Sequence, residues 1–197
     1  MKPMKLDDAA LDLLFRGARS HSGWQPREVP DDLLHQLYEL TKWGPTSANC
    51  SPARIVFVKS DSARAKLLEC MIPGNVEKTR GAPVIAVIGM DFEFYEQLPR
   101  LYPATDARAW FLGNQPLIDA TAFRNSSLQG AYLMLAARSL GLDCGPMSGF
   151  DPAKVNNVFF AGSTIKVNFV CALGYGDTAK LRPRGPRLAF DEACRIE

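Results

Sequence analysis

The stretch LIDATAFRNSSLQGAYLMLAARSLGLDCGPMSGF, running from Leu117 to Phe150, decides the fold class. Ile118, Ala122, Leu128, Tyr132 and Leu135 or Ala136 make up a wide apolar side at helical spacing, and Arg124, Asn125, Ser126 and Gln129 form a polar set on the other face. The pattern predicts one helix from about Leu117 to Leu140. Gly141 closes it, at the position where a left-handed residue ends a helix. A helix of this length in a chain of 197 residues is expected to be central and to pack against a partner subunit. A short extended piece and a Pro146-x-x-Gly149 turn follow.

Toward the N-terminus, Leu6, Ala9, Ala10, Leu13, Leu14 and Gly17 predict an amphipathic first helix ending near Arg19. Asp31 or Asp32, after Pro30, can cap a second helix with Leu33, Leu34, Leu37 and Leu40 on its buried side. Turn residues from Gly44 to Pro52 lead into a β-branched strand, Ile55–Val58. A polar helix is expected over roughly Ser62–Cys70, and Val84–Ile88 reads as a strand buried on both faces. Lys166–Leu173 is a further strand, left through the turn Gly174–Asp177. The tail from Lys180 to Glu197 holds four Arg and two Pro and is expected to reach across a dimer. Without repeats or a Gly/Ser linker, residues 1–197 read as one domain. Periodicity leaves α+β and α/β both open.

Composition narrows the function classes. Apolar residues make up 47% and charged residues 22%, as in an ordinary globular enzyme. A net charge of +2, with no run of like charges, gives no footprint for nucleic acid. The first twenty residues carry Lys2, Lys5, Asp7, Asp8, Asp12, Arg16 and Arg19, which excludes a signal-peptide core. The apolar run Pro83–Met90 is too short to span a bilayer. Five scattered cysteines without CxxC spacing read as reduced thiols. A cytoplasmic protein without membrane attachment is expected.

No GxGxxG, Walker loop, HExxH or GxSxG is present, and there are two histidines. An enzyme of this composition would rely on a cofactor for its chemistry and supply the positioning. Four segments stand out. Arg19-Ser-His-Ser22 places a cation and hydroxyls just past a helix, suited to a phosphate, or simply to a helix end with turn serines. Trp43-Gly-Pro-Thr-Ser-Ala-Asn-Cys-Ser-Pro52 is a stiff loop able to approach a flat ligand, or an ordinary connection. Asn75-Val-Glu-Lys78 sets an amide and an amine one helical turn apart, a pattern that by itself reads as solvated surface. Gly141 to Phe150 would present backbone N–H groups to a ring edge, or merely join helix to strand.

In order and spacing the four together resemble the FMN-dependent nitroreductase family over nearly the whole chain. The resemblance implies an α+β fold, a mostly antiparallel sheet flanked by helices, in a domain-swapped homodimer. It implies that Arg19, Ser20, Ser22 and Arg184 hold the FMN phosphate, with Arg182 able to exchange roles with Arg184. Pro45, Thr46, Ser47 and Asn49 would lie against the flavin, partly from the other subunit. Asn75 and Lys78 would contact its pyrimidine edge and favour the reduced, more negative ring. Pro146, Met147, Ser148 and Gly149 would cover the ring. Ser22 stands where many members carry a basic residue, and Ser148 where many carry Glu.

Several runs are similar to one branch, the malonic semialdehyde reductases of pyrimidine degradation (RutE type): Lys42–Phe57, Thr121–Ser127, Gly145–Phe150, Phe159–Thr164 and Asn168–Asp177. The implied reaction passes hydride from NAD(P)H through flavin N5 to the aldehyde, giving 3-hydroxypropionate. Arg54 or Arg108 would hold the substrate carboxylate, and Trp110, Phe111, Phe159 and Phe160 could wall the pocket, though each aromatic also reads as core. A broad nitroaromatic or quinone reductase and a flavin-binding protein without turnover are the alternatives.

Overall fold

The computed structural model of the protein describes residues 5–197, so Lys2 of the early charge set lies outside it. The chain forms α1 (Asp8–Leu11), α2 (Asp31–Thr41), β1 (Ala53–Val58), α3 (Asp61–Leu68), α4 (Pro73–Arg80), β2 (Val84–Asp91), α5 (Leu98–Leu101), α6 (Gln115–Ser139), β3 (Asp143–Met147), α7 (Pro152–Phe159), β4 (Ile165–Gly174) and α8 (Phe190–Ala193). The four strands make one antiparallel sheet in the order β1-β2-β4-β3, which leaves β1 and β3 as its edges.

Alternation along β2 shows how the layers are built. Ile85 and Val87 point to one face, where they meet Leu67 of α3 and Val155 of α7. Val84, Ala86 and Ile88 point to the other, against Leu34 and Leu37 of α2 and Leu133, Ala136 and Ala137 of α6. All five strand side chains are fully buried, as the apolar run led us to expect. Each of the valine and isoleucine side chains contributes about 1.5–3 kcal/mol of burial. A third cluster, centred on Phe94, Leu98, Phe111 and Ile118, closes the excursion between β2 and α6.

Local chemistry explains the boundaries. Gly141 takes φ 78°, ending α6 in the left-handed conformation. Asp151 caps α7 by accepting the N–H groups of Ala153 (2.9 Å) and Lys154 (3.1 Å), and Pro152 occupies the first turn. Neither α4 nor α7 was expected as a helix, and both carry proline at the start.

Three expectations need correction. The first helix is only α1 followed by a π-helical stretch, Asp12–Arg16, and neither contains a buried residue. Leu6, Leu13 and Phe15 find no apolar layer among the described residues and stay exposed. In α6 the expected faces are partly inverted. Asn125, Ser126 and Gln129 are buried, whereas Leu128 and Tyr132 are 43% and 38% exposed, beside Phe123 at 58%. Asn125 and Gln129 have long-range backbone partners, given below, and Ser126 accepts from Asn168 Nδ2 at 2.8 Å, contacts that outweigh their polarity. Leu40, assigned to the inner side of α2, is likewise exposed.

Candidate functional site

Three of the four segments converge on strand β3. Ser20 bridges to Cys144 on the free edge of that strand, and the His21 N–H donates to the Cys144 carbonyl at 2.9 Å. This approach needs a glycine beside it, since a Cβ on Gly145 would lie 2.4 Å from the His21 carbonyl oxygen. At the other end of β3, the Gly149 carbonyl accepts the Asn75 side-chain N–H at 3.0 Å. The Asn75 oxygen in turn accepts from Lys78 Nζ at 3.1 Å. Helix α4 is therefore what sets Asn75 and Lys78 on one face, next to the Pro146–Gly149 turn. Asn75 is buried and Lys78 half-buried, so the pair is not the solvated surface its sequence pattern alone would describe.

Between these anchors lies a depression of about 660 Å³. Arg19, Ser20, Ser22, Lys78, Pro146, Met147 and Arg184 of the expected set all line it. Arg16, Arg138, Arg182 and Arg187 add to its walls, and among the described residues no carboxylate lines it. Backbone carbonyls orient the guanidinium groups: Arg19 donates to the Arg182 oxygen, and Arg184 to Arg16 (2.9 Å) and Ala18 (2.8 Å). Carbonyls fix direction without cancelling charge, so a strong positive field remains. Arg16 differs, being tied to Asp8 at 2.8 Å and Asp12 at 2.5 Å.

The depression fits a phosphate ester. Among the described residues, two buried side-chain nitrogens have no hydrogen-bond partner, His21 Nδ1 and Arg138 Nε. Both residues line this one depression, the Arg138 nitrogen without any partner and the Nδ1 edge of His21 packed against Gly176, outside the lining. Sequence reasoning missed Arg138, because an arginine in the last turn of a helix reads as a partner of the helix dipole.

The fourth segment is held elsewhere. The Ser47 N–H donates to Asn125 Oδ1, and the Ala53 N–H to Gln129 Oε1, both at 2.8 Å. Thr46 Oγ1 accepts the Ser51 N–H at 3.1 Å, and Asn49 Nδ2 donates to the Leu101 carbonyl at 2.9 Å. Ala48, Asn49 and Ser51 all have positive φ (48°, 51° and 40°), strain retained only because these contacts over-determine the loop. Pro45, Asn49 and Arg54 line a separate, open groove of about 1280 Å³ between α2 and β1.

The proposed substrate residues are scattered. Arg54 donates to Asp91 at 2.7 Å and to the Ser51 and Ala53 carbonyls at 3.0 Å. Arg108 makes a two-pronged pair with Glu96 at 2.8 and 2.7 Å, which holds the Glu96 carboxyl below its usual range. Trp110 is half exposed, 6.3 Å from the Tyr102 ring. Phe159 and Phe160 pack on the opposite layer with α7 and the core, and Phe111 is buried in the third cluster. The structure does not gather these residues into one wall.

The comparisons agree with this architecture. The model of the nitroreductase family matches residues 15–175. A relative from Polynucleobacter asymbioticus, provisionally named NADH dehydrogenase/NAD(P)H nitroreductase, is 60% identical over 97% of both chains. One from Burkholderia lata with the same provisional name is 62% identical over 98% of both. A solved structure of a provisionally named nitroreductase from Bacillus subtilis superposes with a TM-score of 0.85 at 21% identity, covering 97% of this chain and 100% of that one. Another, from Exiguobacterium sibiricum in complex with FMN, gives 0.84 at 16% identity, with both chains fully covered. The antiparallel sheet flanked by helices is thus a nitroreductase-like fold, and with sequence relatives this close over their full length the chain belongs to the nitroreductase family.

Proposed function

We propose that the protein is an FMN-dependent NAD(P)H oxidoreductase, a single domain over residues 1–197 acting as a homodimer in the cytoplasm, and that it reduces malonic semialdehyde to 3-hydroxypropionate. The observation that carries the cofactor is the carboxylate-free, arginine-lined depression opening beside the Asn75–Lys78 pair. The FMN bound by the Exiguobacterium relative and the NAD(P)H in the names of close relatives support the same reading. The free state of all five cysteines supports the cytoplasm.

Bound FMN would supply a ring atom that accepts hydride from NAD(P)H and passes it on. The chain's part is placement. Arg19, Ser20, Ser22 and Arg184 grip the phosphate, with Arg182 as the possible substitute for Arg184. Lys78, fixed by Asn75, puts a positive charge at the ring edge and stabilises its reduced form. Pro146, Met147, Ser148 and Gly149 cover the ring and exclude water.

The loop bearing Pro45, Thr46, Ser47 and Asn49 serves the site of the second subunit. It is anchored at Asn125, thirteen residues before Arg138 on α6, or about 20 Å at 1.5 Å per residue. Exposed Phe123, Leu128 and Tyr132 on α6, and Leu188, Phe190 and Ile196 in the tail, supply apolar surface for the dimer.

A second reading, a broad nitroaromatic or quinone reductase, is favoured by one observation: Arg54 and Arg108, the proposed carboxylate clamps, already hold Asp91 and Glu96. Anaerobic titration separates the two. Yellow protein bleached by NAD(P)H and recoloured by malonic semialdehyde supports the aldehyde reductase. Recolouring by nitroaromatics or quinones alone selects the second reading. Bound flavin that neither nucleotide bleaches means binding without turnover, and failure to take up FMN removes the cofactor assignment.

A further inference from the structure

We propose that Arg138 is a direct binding residue for the phosphate group in the arginine-lined depression, an inference that rests on the FMN reading above. Arg138 is the penultimate residue of α6, and its Nη1 donates to the Leu14 carbonyl at 3.1 Å. That bond joins the C-terminal end of the long helix to the segment leading into Arg19. The Nε atom of the same guanidinium is buried and has no acceptor among the described residues.

An arginine that merely balances a helix dipole keeps its head in water. Arg138 is instead part of the wall of the depression, half-buried, with one N–H left over. A buried donor without an acceptor is costly, so the arrangement calls for an acceptor from outside the chain. His21, the other residue with an unpartnered buried nitrogen, adds no donor to this space, because the Nδ1 edge of its ring packs against Gly176, outside the lining. The other nitrogen of the ring is engaged as well, His21 Nε2 meeting Asp143 at 3.4 Å, and the same carboxylate accepts the Gly176 N–H at 2.9 Å. One unmet guanidinium N–H and several uncancelled cations around one depression match a group with multiple acceptor oxygens and double negative charge. A phosphate monoester is such a group, and the planar fork of an arginine suits it.

The test compares FMN with riboflavin, which lacks the phosphate, by fluorescence titration of flavin-free protein, with inorganic phosphate as a competitor. Arg138→Met keeps side-chain length and removes the charge. It should weaken FMN binding about 10- to 100-fold, the loss of a hydrogen bond to a charged group, while riboflavin affinity stays within about threefold. Competition by inorganic phosphate should weaken in parallel. Arg138→Lys, which keeps a cation but not the fork, should lower the FMN-to-riboflavin ratio by a smaller factor, and it serves if the methionine variant does not fold. Equal loss of both flavins, or an unchanged ratio in a folded variant, would overturn the role of Arg138 while leaving the FMN reading intact. Wild-type protein that binds neither flavin would instead bring down the FMN reading.

Discussion

Ser47 and Asn125 lie 78 residues apart, yet the Ser47 backbone N–H finds its acceptor in the Asn125 side chain at 2.8 Å. Asn125 completes its own pairing by donating to the Thr121 carbonyl at 2.8 Å. The contact pins a loop in which three non-glycine residues adopt left-handed conformations, each costing about 1–3 kcal/mol. Asn125→Leu keeps the volume and removes the acceptor. It should destabilise the protein by about 1–3 kcal/mol in urea unfolding, and Asn125→Asp, which retains the acceptor, should cost less. Equal stability of the leucine variant would mean that the loop does not depend on this contact.

The same pair shows what the sequence could and could not disclose. The end of α6 was legible because Gly141 is a local signal, and β2 because its apolar run allows few other readings. The orientation of α6 was not. Apolar count places Leu128 and Tyr132 inward, but the backbone donors of Ser47 and Ala53 draw Asn125 and Gln129 into the core. Such partners are distant in sequence and leave no periodic trace. The spacing of Asn75 and Lys78 was visible as one helical turn, whereas their link to Gly149 required the fold. Arg138 gave no signal beyond that of an ordinary last-turn cation.

Gly145 should be intolerant of any side chain. The atom its Cβ would strike is the His21 carbonyl oxygen, backbone on both sides, so neither group can swing away. Gly145→Ala should lift the Ser20–Ser22 segment off β3 and cost about 1–3 kcal/mol as overpacking does. Thermal melting together with FMN titration checks this, and the expected result is a loss of affinity larger than the stability change alone would produce.

Thiol chemistry should separate one cysteine from the rest. Cys194 is exposed, while Cys50, Cys70, Cys144 and Cys171 are buried. Burial pushes the Cys50 thiol up to about 11 and raises Cys70 as well. Cys171 is raised first by its hydrogen bond with Cys144 and then by burial. Since the thiolate is the reactive form, native protein at pH 8 should label rapidly at Cys194 alone and at the other four only in denaturant. Rapid native labelling in the Cys194→Ser variant would contradict this burial pattern.

Lys78→Ala removes the ring-edge charge proposed above while leaving Asn75 bonded to Gly149. Loss of a charged hydrogen bond of about 1.5–3 kcal/mol, felt more by the reduced ring, should lower the flavin midpoint potential and weaken reduced FMN more than oxidised FMN. Spectroelectrochemistry of the loaded variant measures both. Unchanged potential and affinity would remove Lys78 from the site.

The exposed apolar face of α6 is where the proposed homodimer can be broken without touching the arginine-lined depression. Leu128 is 43% exposed, next to Phe123 and Tyr132, and it lines neither the depression nor the groove described above. Wild-type protein should sediment as a dimer at micromolar concentration. Leu128→Asp, which would desolvate an unpaired carboxylate in the interface, should shift it to monomer. Because the loop from Pro45 to Asn49 would then be missing from each partner's site, the monomer should bind FMN more weakly with its own fold intact by circular dichroism. A monomeric variant that keeps full FMN affinity would show that each chain builds its site alone, and the loop would then have to be reassigned to the stability of α6 and β1.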